Sequence, residues 1–195
     1  MKLLFLGDIV GAPGVALVKS AVPTLRSRLA LDAVIANAEN ASGGSGLSPG
    51  LYRQLRAAGV DAITLGDHIY KKFDIAEILR DPAQPVVKPA NFPAAAAGRD
   101  HCIIMIHATP LAVVSLLGRT FMRPVDCPFD AVDRVLAALD PAVRHIIVDI
   151  HAEATADKYL MAHHLKGRVS AVLGTHTHWS SAVRRARIRS PPPAS

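Results

Sequence analysis

Two histidines near the end of the chain, His176 and His178, stand two positions apart in the segment AVLGTHTH. In an extended segment, side chains two positions apart lie on the same side, so both imidazoles can reach one point. Imidazole nitrogens are good ligands for transition-metal ions. Because a His-x-His pair also occurs by chance, its meaning depends on whether further ligands follow other strands.

Residues of metal-ligand type follow apolar runs at four other places in the chain. In open α/β sheets, ligands gather beyond the carboxyl ends of the strands, so neighbouring strands would bring these side chains into one cleft. Each residue alone has a plainer explanation as a turn former, a helix cap or a hydrogen-bonded histidine. Coincidence at five separate strand ends is a weaker explanation than one shared site. The candidates are Asp8, Glu39, Asn40, Asp67, His68, His151, His176 and His178.

The mixture of ligand types indicates the metal and the reaction. Carboxylates combined with several imidazoles favour Mn, Fe or Zn, whereas Ca and Mg favour oxygen ligands alone. The candidates outnumber the ligands of one ion, so we expect two ions that share a carboxylate. Two ions roughly 3.5–4 Å apart commonly hydrolyse phosphate esters, with a hydroxide between them attacking phosphorus.

The elements that must position these residues follow an α/β pattern. Short runs rich in Val, Ile and Leu alternate with segments of helical period, which is typical of a sheet covered by helices on both faces. Ser48 and Pro49 have the types expected at the N-cap and first position of a helix. A hairpin is expected around Thr109 and Pro110. Strands are predicted at 2–7, 32–38, 61–66, 101–107, 111–118, 144–151 and 169–176, and helices at about 13–29, from 49, at 71–80, 129–139 and 155–165.

Composition limits the class of protein. The chain has 195 residues, half of them apolar, which is enough for one globular domain with a sizeable core. The net charge of +6 owes four positive charges to arginines between positions 184 and 189, so it says little about partners. The cysteines, Cys102 and Cys127, fit a reducing cytosol. Since no uninterrupted apolar run could span a bilayer, we expect a cytoplasmic protein that does not bind membranes.

The end of the chain differs from the rest. Residues 1–179 are predicted to form the domain, and residues 180–195 a basic, Pro-rich tail without fixed structure. Binding of nucleic acid through the tail arginines is one alternative, although a solvated end is the simpler interpretation.

The motifs resemble those of the YmdB-type metallophosphoesterases, a branch of the calcineurin-like superfamily. The resemblance extends from Lys2 to His178 and keeps the motifs in order. It implies a four-layer αββα sandwich, a dinuclear iron or manganese centre, and activity as a 2',3'-cyclic-nucleotide 2'-phosphodiesterase. Partners would be a small phosphodiester or an RNA-derived substrate, and a homo-oligomer would be in keeping with the family. The matching segments are FLGDIVGAPG, NAENASGGSGL, DAITLGDHIYKK, VVKPANFP, LLGRTFM, DIHAEATADK and AVLGTHTH.

The resemblance also implies a role for each candidate residue. Asp8, Asn40 and His178 would hold the first ion, and Glu39 would bridge both. The second ion would be held by Asp67, His151 and His176, while His68 would donate a proton.

Two departures from the family pattern matter. The family usually has Asn where this chain has Asp67, which keeps an oxygen ligand but adds a negative charge. After His178 the sequence no longer follows the family, so we expect the family's C-terminal strands to be lacking. A metal-binding regulatory protein with weak or no catalysis is therefore the alternative to the enzyme.

Overall fold

The computed structural model describes residues 1–178. Within that range the chain forms two four-stranded sheets and five helices. The strands are β1 (Leu3–Leu6), β2 (Ala33–Asn37), β3 (Ala62–Thr64), β4 (Val86–Val87), β5 (His101–Ile106), β6 (Thr109–Leu117), β7 (His145–Ala152) and β8 (Ala171–His176). The helices are α1 (Gly11–Leu29), α2 (Pro49–Ala57), α3 (Ile75–Arg80), α4 (Pro128–Ala138) and α5 (Thr155–His164).

The first sheet has the order β1-β2-β3-β4 and is entirely parallel. Its central strand β2 is buried along its whole length, which explains why AVIAN shows no polar alternation until its final residue. Helix α2 begins as predicted, because the Ser48 hydroxyl accepts a hydrogen bond from the Leu51 N–H at 3.3 Å and Pro49 follows.

The second sheet has the order β5-β6-β7-β8, with β5 antiparallel and the others parallel. The hairpin β5–β6 exists, but its predicted turn was wrong. The turn consists of His107 and Ala108, both with positive φ, and Thr109 and Pro110 already belong to β6. Pro110 is tolerated there because pairing with β7 begins only at Leu111, so its missing N–H interrupts no bond on that side.

Three apolar clusters hold the layers together. One lies between the sheets, one packs the first sheet against α1, α2 and α3, and one packs the second sheet against α4 and α5. The predicted four-layer αββα arrangement is confirmed. None of the helices in residues 1–178 has both the length and the apolar character that crossing a bilayer requires. The cytoplasmic location, the domain boundary at 179 and a homo-oligomer stay predictions, and the basic tail lies outside the described residues.

The parallel strands of both sheets end at one edge of the sandwich. Buried polar side chains link the sheets there: the Asn37 amide at the end of β2 donates to Asp149 Oδ2 of β7 at 3.0 Å. The Ser115 hydroxyl of β6 donates to the Leu65 carbonyl just after β3, at 2.7 Å. Loops that leave the two sheets at this edge therefore face one another.

Candidate metal centre

Four ligand atoms converge at this edge: those of His151 and His176 from the ends of β7 and β8, and those of Glu39 and Asp67 from the turns after β2 and β3. One ligand atom each from Glu39, Asp67, His151 and His176 lies within 4.8 Å of all the others. His151 Nε2 is 2.8 Å from Glu39 Oε1, 3.3 Å from Asp67 Oδ1 and 3.0 Å from His176 Nδ1. Two carboxylates and two imidazoles at such separations form a donor set suited to a first-row transition metal.

Asp67 provides a specific sign that this group is built for a cation. Its Oδ1 atom is buried, and its close donor, His151 Nε2 at 3.3 Å, is not aligned for a full hydrogen bond. Burial opposes its ionisation, but the partial hydrogen bond from His151 and the charges of His68, His151 and His176 outweigh it and lower the pKa of Asp67 to about 2. A buried, ionised carboxylate with a free lone pair calls for a positively charged ligand.

A second group of candidates lies beside the first. His178 Nε2 is 2.8 Å from Asp8 Oδ2, and the Asn40 amide nitrogen is 3.3 Å from the same oxygen. The Asp8 side chain is only 3% exposed although it carries no apolar surface to bury. His176 connects the groups, because its backbone N–H donates to Asp8 Oδ1 at 3.3 Å.

Glu39 lies between the two groups. Its Oε1 atom is 2.8 Å from His151 Nε2 in the first group and 3.2 Å from the Asn40 amide nitrogen in the second. Its Oε2 atom accepts a hydrogen bond from the backbone N–H of His68 at 3.0 Å. The carboxylate is fully buried, so its charge depends on the surrounding donors and positive charges for compensation.

His68 stands at the open side of the group, with its side chain 31% exposed. Its Nδ1 is 2.7 Å from Asn40 Oδ1, and because an amide oxygen only accepts, Nδ1 carries the proton of this bond. Nε2 is left without a hydrogen bond, 3.6 Å from Asp67 Oδ2. The ring is thus fixed at one nitrogen and free to exchange a proton with a bound molecule at the other.

Glycine at position 66 is required by packing. A Cβ atom added to Gly66 would lie 2.3 Å from His151 Cδ2 and 2.4 Å from Glu39 Oε2. The backbone before Asp67 therefore passes directly against two of the candidate ligands. Gly7, which precedes Asp8 in the same way, has no atom within 4 Å of its Cβ position.

Both histidines of the last motif adopt an unusual backbone conformation. The φ angle of His176 is 93° and that of His178 is 50°. Residues with a Cβ rarely adopt these conformations, which concentrate at active sites and ligand-binding loops. The two imidazoles were predicted to share one side of an extended segment, but β8 ends at His176 and the backbone turns there, so the extended segment does not reach His178.

Sequence reasoning missed a buried hydrogen-bond chain behind His151. The Thr175 hydroxyl donates to Asp149 Oδ1 at 2.8 Å, so its oxygen accepts from His151 Nδ1, also at 2.8 Å. Thr64 and Asn37 donate to the other oxygen of Asp149. The chain keeps a proton on His151 Nδ1 and turns Nε2 toward Glu39, so that Nε2 can offer its lone pair to a metal ion once its own proton has left, as in carboxylate-linked histidine ligands.

Replacing Thr175 tests this chain. In Thr175→Val the methyl group that takes the place of the hydroxyl cannot accept from His151 Nδ1, so we expect Mn²⁺ affinity to fall by roughly 10–100-fold. Thr175→Ser keeps the hydroxyl and should retain most of the affinity. Calorimetric titration of the metal-free proteins measures both. Equal affinities for the valine and serine variants would show that the chain does not orient His151.

His151 carries a proton when no metal is bound. Burial opposes the charge, but the hydrogen bonds to Asp67 and Glu39 and the negative charges of Glu39 and Asp8 raise the pKa of His151 to about 10. The imidazolium then partly offsets three surrounding carboxylates. This pKa lies above the ordinary value of 6.5. Protonation of His151 therefore stabilises the metal-free fold by its full amount below about pH 6.5, and this stabilisation is lost as the pH rises through about 10.

Metal binding should therefore release this proton. Asp67, with a pKa of about 2, is already ionised and releases none. We expect Mn²⁺ affinity to rise roughly tenfold per pH unit between about pH 7 and pH 9. Calorimetry in two buffers of different ionisation enthalpy counts the protons released, and an affinity independent of pH would contradict the protonated state of His151.

All eight predicted site residues lie in one continuous polar group. Two further residues join it that sequence reasoning did not select: Glu153 Oε2 is 3.0 Å from His176 Nε2, and Lys158 Nζ donates to the Thr177 hydroxyl at 3.1 Å. Their place in the segment HAEATADK, directly after β7, was the available signal. The helical His164 instead pairs with Asp133 at 2.9 Å, away from this group.

The chain was compared with family sequence models, with curated proteins and with solved structures. The sequence model of the family described as YmdB-like protein matches residues 4–187. The 2',3'-cyclic-nucleotide 2'-phosphodiesterase of Bacillus subtilis is 40% identical over 185 residues, which cover 95% of this chain and 70% of that protein.

Two crystal structures are similar in fold and sequence. A hypothetical protein from Thermus thermophilus is 42% identical with a TM-score of 0.88, covering 94% of this chain and 70% of that one. A structure described as a novel phosphatase from Mycoplasma pneumoniae is 33% identical with a TM-score of 0.85, covering 93% and 66% respectively. The chain thus spans about two-thirds of the length of these relatives.

Proposed function

Since the chain belongs to the YmdB-like family, we propose that it is a metal-dependent phosphoric diester hydrolase that opens 2',3'-cyclic nucleotides to nucleoside 3'-phosphates. The observation that carries the proposal is the convergence of Glu39, Asp67, His151 and His176, with one carboxylate oxygen of Asp67 left without a full hydrogen bond. The phosphodiesterase from Bacillus subtilis, at 40% identity, supports the choice of substrate.

We assign the ligands as two sets that share one carboxylate. Asp8, Asn40 and His178 would hold the first ion, Asp67, His151 and His176 would hold the second, and Glu39 would belong to both sets. Iron or manganese suits this mixture of oxygen and nitrogen donors best. When bound, such ions supply an acidified water as nucleophile and offset the negative charge of the phosphoryl oxygens.

His68 then completes the reaction as the general acid. The attacking water forms a bond to phosphorus while the bond from phosphorus to the 2'-oxygen breaks. His68 Nε2, which makes no hydrogen bond to a described residue, delivers its proton to that leaving oxygen. The phosphate stays on the 3'-oxygen, and Asn40 keeps the imidazole oriented throughout.

The proposal is tested with metal-replete protein and adenosine 2',3'-cyclic phosphate. The expected product is adenosine 3'-monophosphate, which chromatography separates from the 2'-isomer. Turnover no faster than in buffer, by folded protein with its metal bound, would reject the enzyme. It would favour the alternative, a metal-binding regulatory protein, for which the extra negative charge of Asp67 is the motivating observation.

A further inference from the structure

The loop that follows β6, residues 118–126, connects to two members of the proposed ligand set. Its first residue, Gly118, donates its backbone N–H to the His151 carbonyl at 2.9 Å. Further along, Arg123 Nη1 donates to the Asp67 carbonyl at 3.2 Å. This rim loop therefore borders the metal centre on the side of His151 and Asp67.

The rim loop is held in place before any ligand arrives. The buried Asn91 side chain bonds to both the N–H and the carbonyl of Leu117 and donates to the Asp126 carbonyl, which closes the loop at its base. Asp157 accepts three further hydrogen bonds from the second and third residues of the loop. A loop ordered in advance loses little conformational entropy when it binds a ligand.

At the tip of this fixed loop stands an exposed aromatic ring. Phe121 is 87% exposed and has a φ of 62°, whereas Met122 beside it packs against the core of the first sheet. Of the other non-glycine residues with positive φ in 1–178, one ends α1, two form the hairpin turn, and two are His176 and His178. The positive φ of Phe121 belongs to a turn in which the Met122 N–H donates to the Arg119 carbonyl at 3.4 Å, a position where glycine or asparagine is usual. Neither the turn nor burial requires a large apolar ring there, and binding of a ligand accounts for it.

The surroundings of the ring match one class of ligand. Arg119 and Arg123 are exposed in the same loop, and Arg123 reaches the Asp67 carbonyl at 3.2 Å. An aromatic ring accompanied by exposed cations is the usual means of holding a nucleobase and its phosphate.

We infer that Phe121 is the platform on which the base of a nucleotide stacks while its phosphate reaches the metal centre. The inference rests on the proposed function and extends it. It predicts that the protein recognises the base by stacking, which tolerates different bases, and that substrates without a base bind more weakly.

The test compares ligands with and without a base, in binding as well as in turnover. Adenosine 3'-monophosphate and 1-O-methylribose 3-phosphate serve as binding probes for the metal-loaded protein, and the corresponding 2',3'-cyclic phosphates serve as substrates. In Phe121→Ala we expect affinity for the adenosine ligand to fall roughly tenfold, because stacking on one ring is removed. Affinity for the base-free ligand and the metal content should not change.

Two further variants separate stacking from misfolding and from general apolar contact. Phe121→Gly suits the positive φ, so it should melt no lower than the wild type while losing the same affinity. Met105 is 64% exposed on β5, paired with Pro110 at the start of β6, and therefore lies at the opposite edge of the second sheet from the metal centre. Met105→Ala is the control for an exposed apolar side chain and should bind adenosine 3'-monophosphate normally.

The outcomes distinguish this inference from the proposed function. Turnover of the cyclic nucleotide with unchanged binding in Phe121→Ala would overturn the platform and leave the enzyme standing. If the protein did not turn over the cyclic nucleotide but bound adenosine 3'-monophosphate in a way that depends on Phe121, the platform would be upheld and the enzyme rejected. Equal losses for both probes, an equal loss in Met105→Ala, or equal binding of both probes by the wild type would each overturn the platform.

Discussion

Gly66→Ala should abolish metal binding and activity together. The new methyl group would lie 2.3 Å from His151 Cδ2 and 2.4 Å from Glu39 Oε2, distances at which those side chains must move. Both belong to the converging group of four ligand atoms, so displacing them separates donors that need to meet at one ion. Overpacking costs about 1–3 kcal/mol of stability. We expect metal affinity to fall by at least about a hundredfold, beyond the effect of losing a single supporting contact.

Gly7→Ala is the matched control for this variant. Gly7 also precedes a candidate aspartate at the end of a parallel strand, but no atom lies within 4 Å of its Cβ position. The change should alter stability by no more than about 0.5 kcal/mol and leave the bound metal unchanged. Elemental analysis of both purified variants decides the comparison. Normal metal content in Gly66→Ala would mean that the close packing of His151 and Glu39 is not needed for binding.

His68→Ala should remove activity without removing metal. A positioned general acid contributes about 10²–10⁴-fold to turnover, so we expect a loss of that size with adenosine 2',3'-cyclic phosphate. The side chain is bound through Asn40 at one nitrogen and is not among the four converging ligand atoms. Metal content measured on the same sample should therefore match the wild type. His163→Ala, a change at an exposed position of α5, is the control and should be fully active.

A substrate with a better leaving group makes the His68 test specific for proton donation. The p-nitrophenolate of bis(p-nitrophenyl) phosphate departs without needing a proton, so His68→Ala should lose much less activity with this ester. Losses of the same size with both substrates would contradict the role of general acid. Loss of metal in this variant would instead make His68 a ligand.

The sequence was sufficient to predict that the candidate ligands lie together, because they follow strands that all end at one edge. Asp8, Glu39 and Asp67 come after β1, β2 and β3, and parallel pairing brings these strand ends together. The sequence argument placed the candidates beyond neighbouring strands. The structure divides these strands between two sheets, whose strand ends meet at one edge where Asn37 contacts Asp149.

The supporting residues could not be predicted in the same way. Asp149 reads as an interruption in an apolar strand, and its partners Asn37, Thr64 and Thr175 come from three other strands. Only the pairing register and the distance between the two sheets bring them together. The hairpin turn was misplaced for a related reason. Proline is a common turn residue, and only the pairing of β6 with β7, which begins at Leu111, shows that Pro110 can belong to the strand.

Phe121 shows a further limit of sequence reasoning. In the segment LLGRTFM, a phenylalanine between a threonine and a methionine reads as a core residue. The hydrogen bonds of Asp157 and Asn91 fix the rim loop so that Met122 packs inward and the larger ring is left exposed. Which of Phe121 and Met122 is buried therefore depends on contacts made by Asp157 and Asn91, which lie about 30 positions away on either side in the sequence.

Titration of metal-free protein with Mn²⁺, followed by activity at each step, tests the central claim most directly. The two ligand sets joined by Glu39 predict that binding saturates at about two ions per chain and that turnover of adenosine 2',3'-cyclic phosphate appears with the second. Saturation and full activity at one ion per chain, or full activity without added metal, would contradict the account.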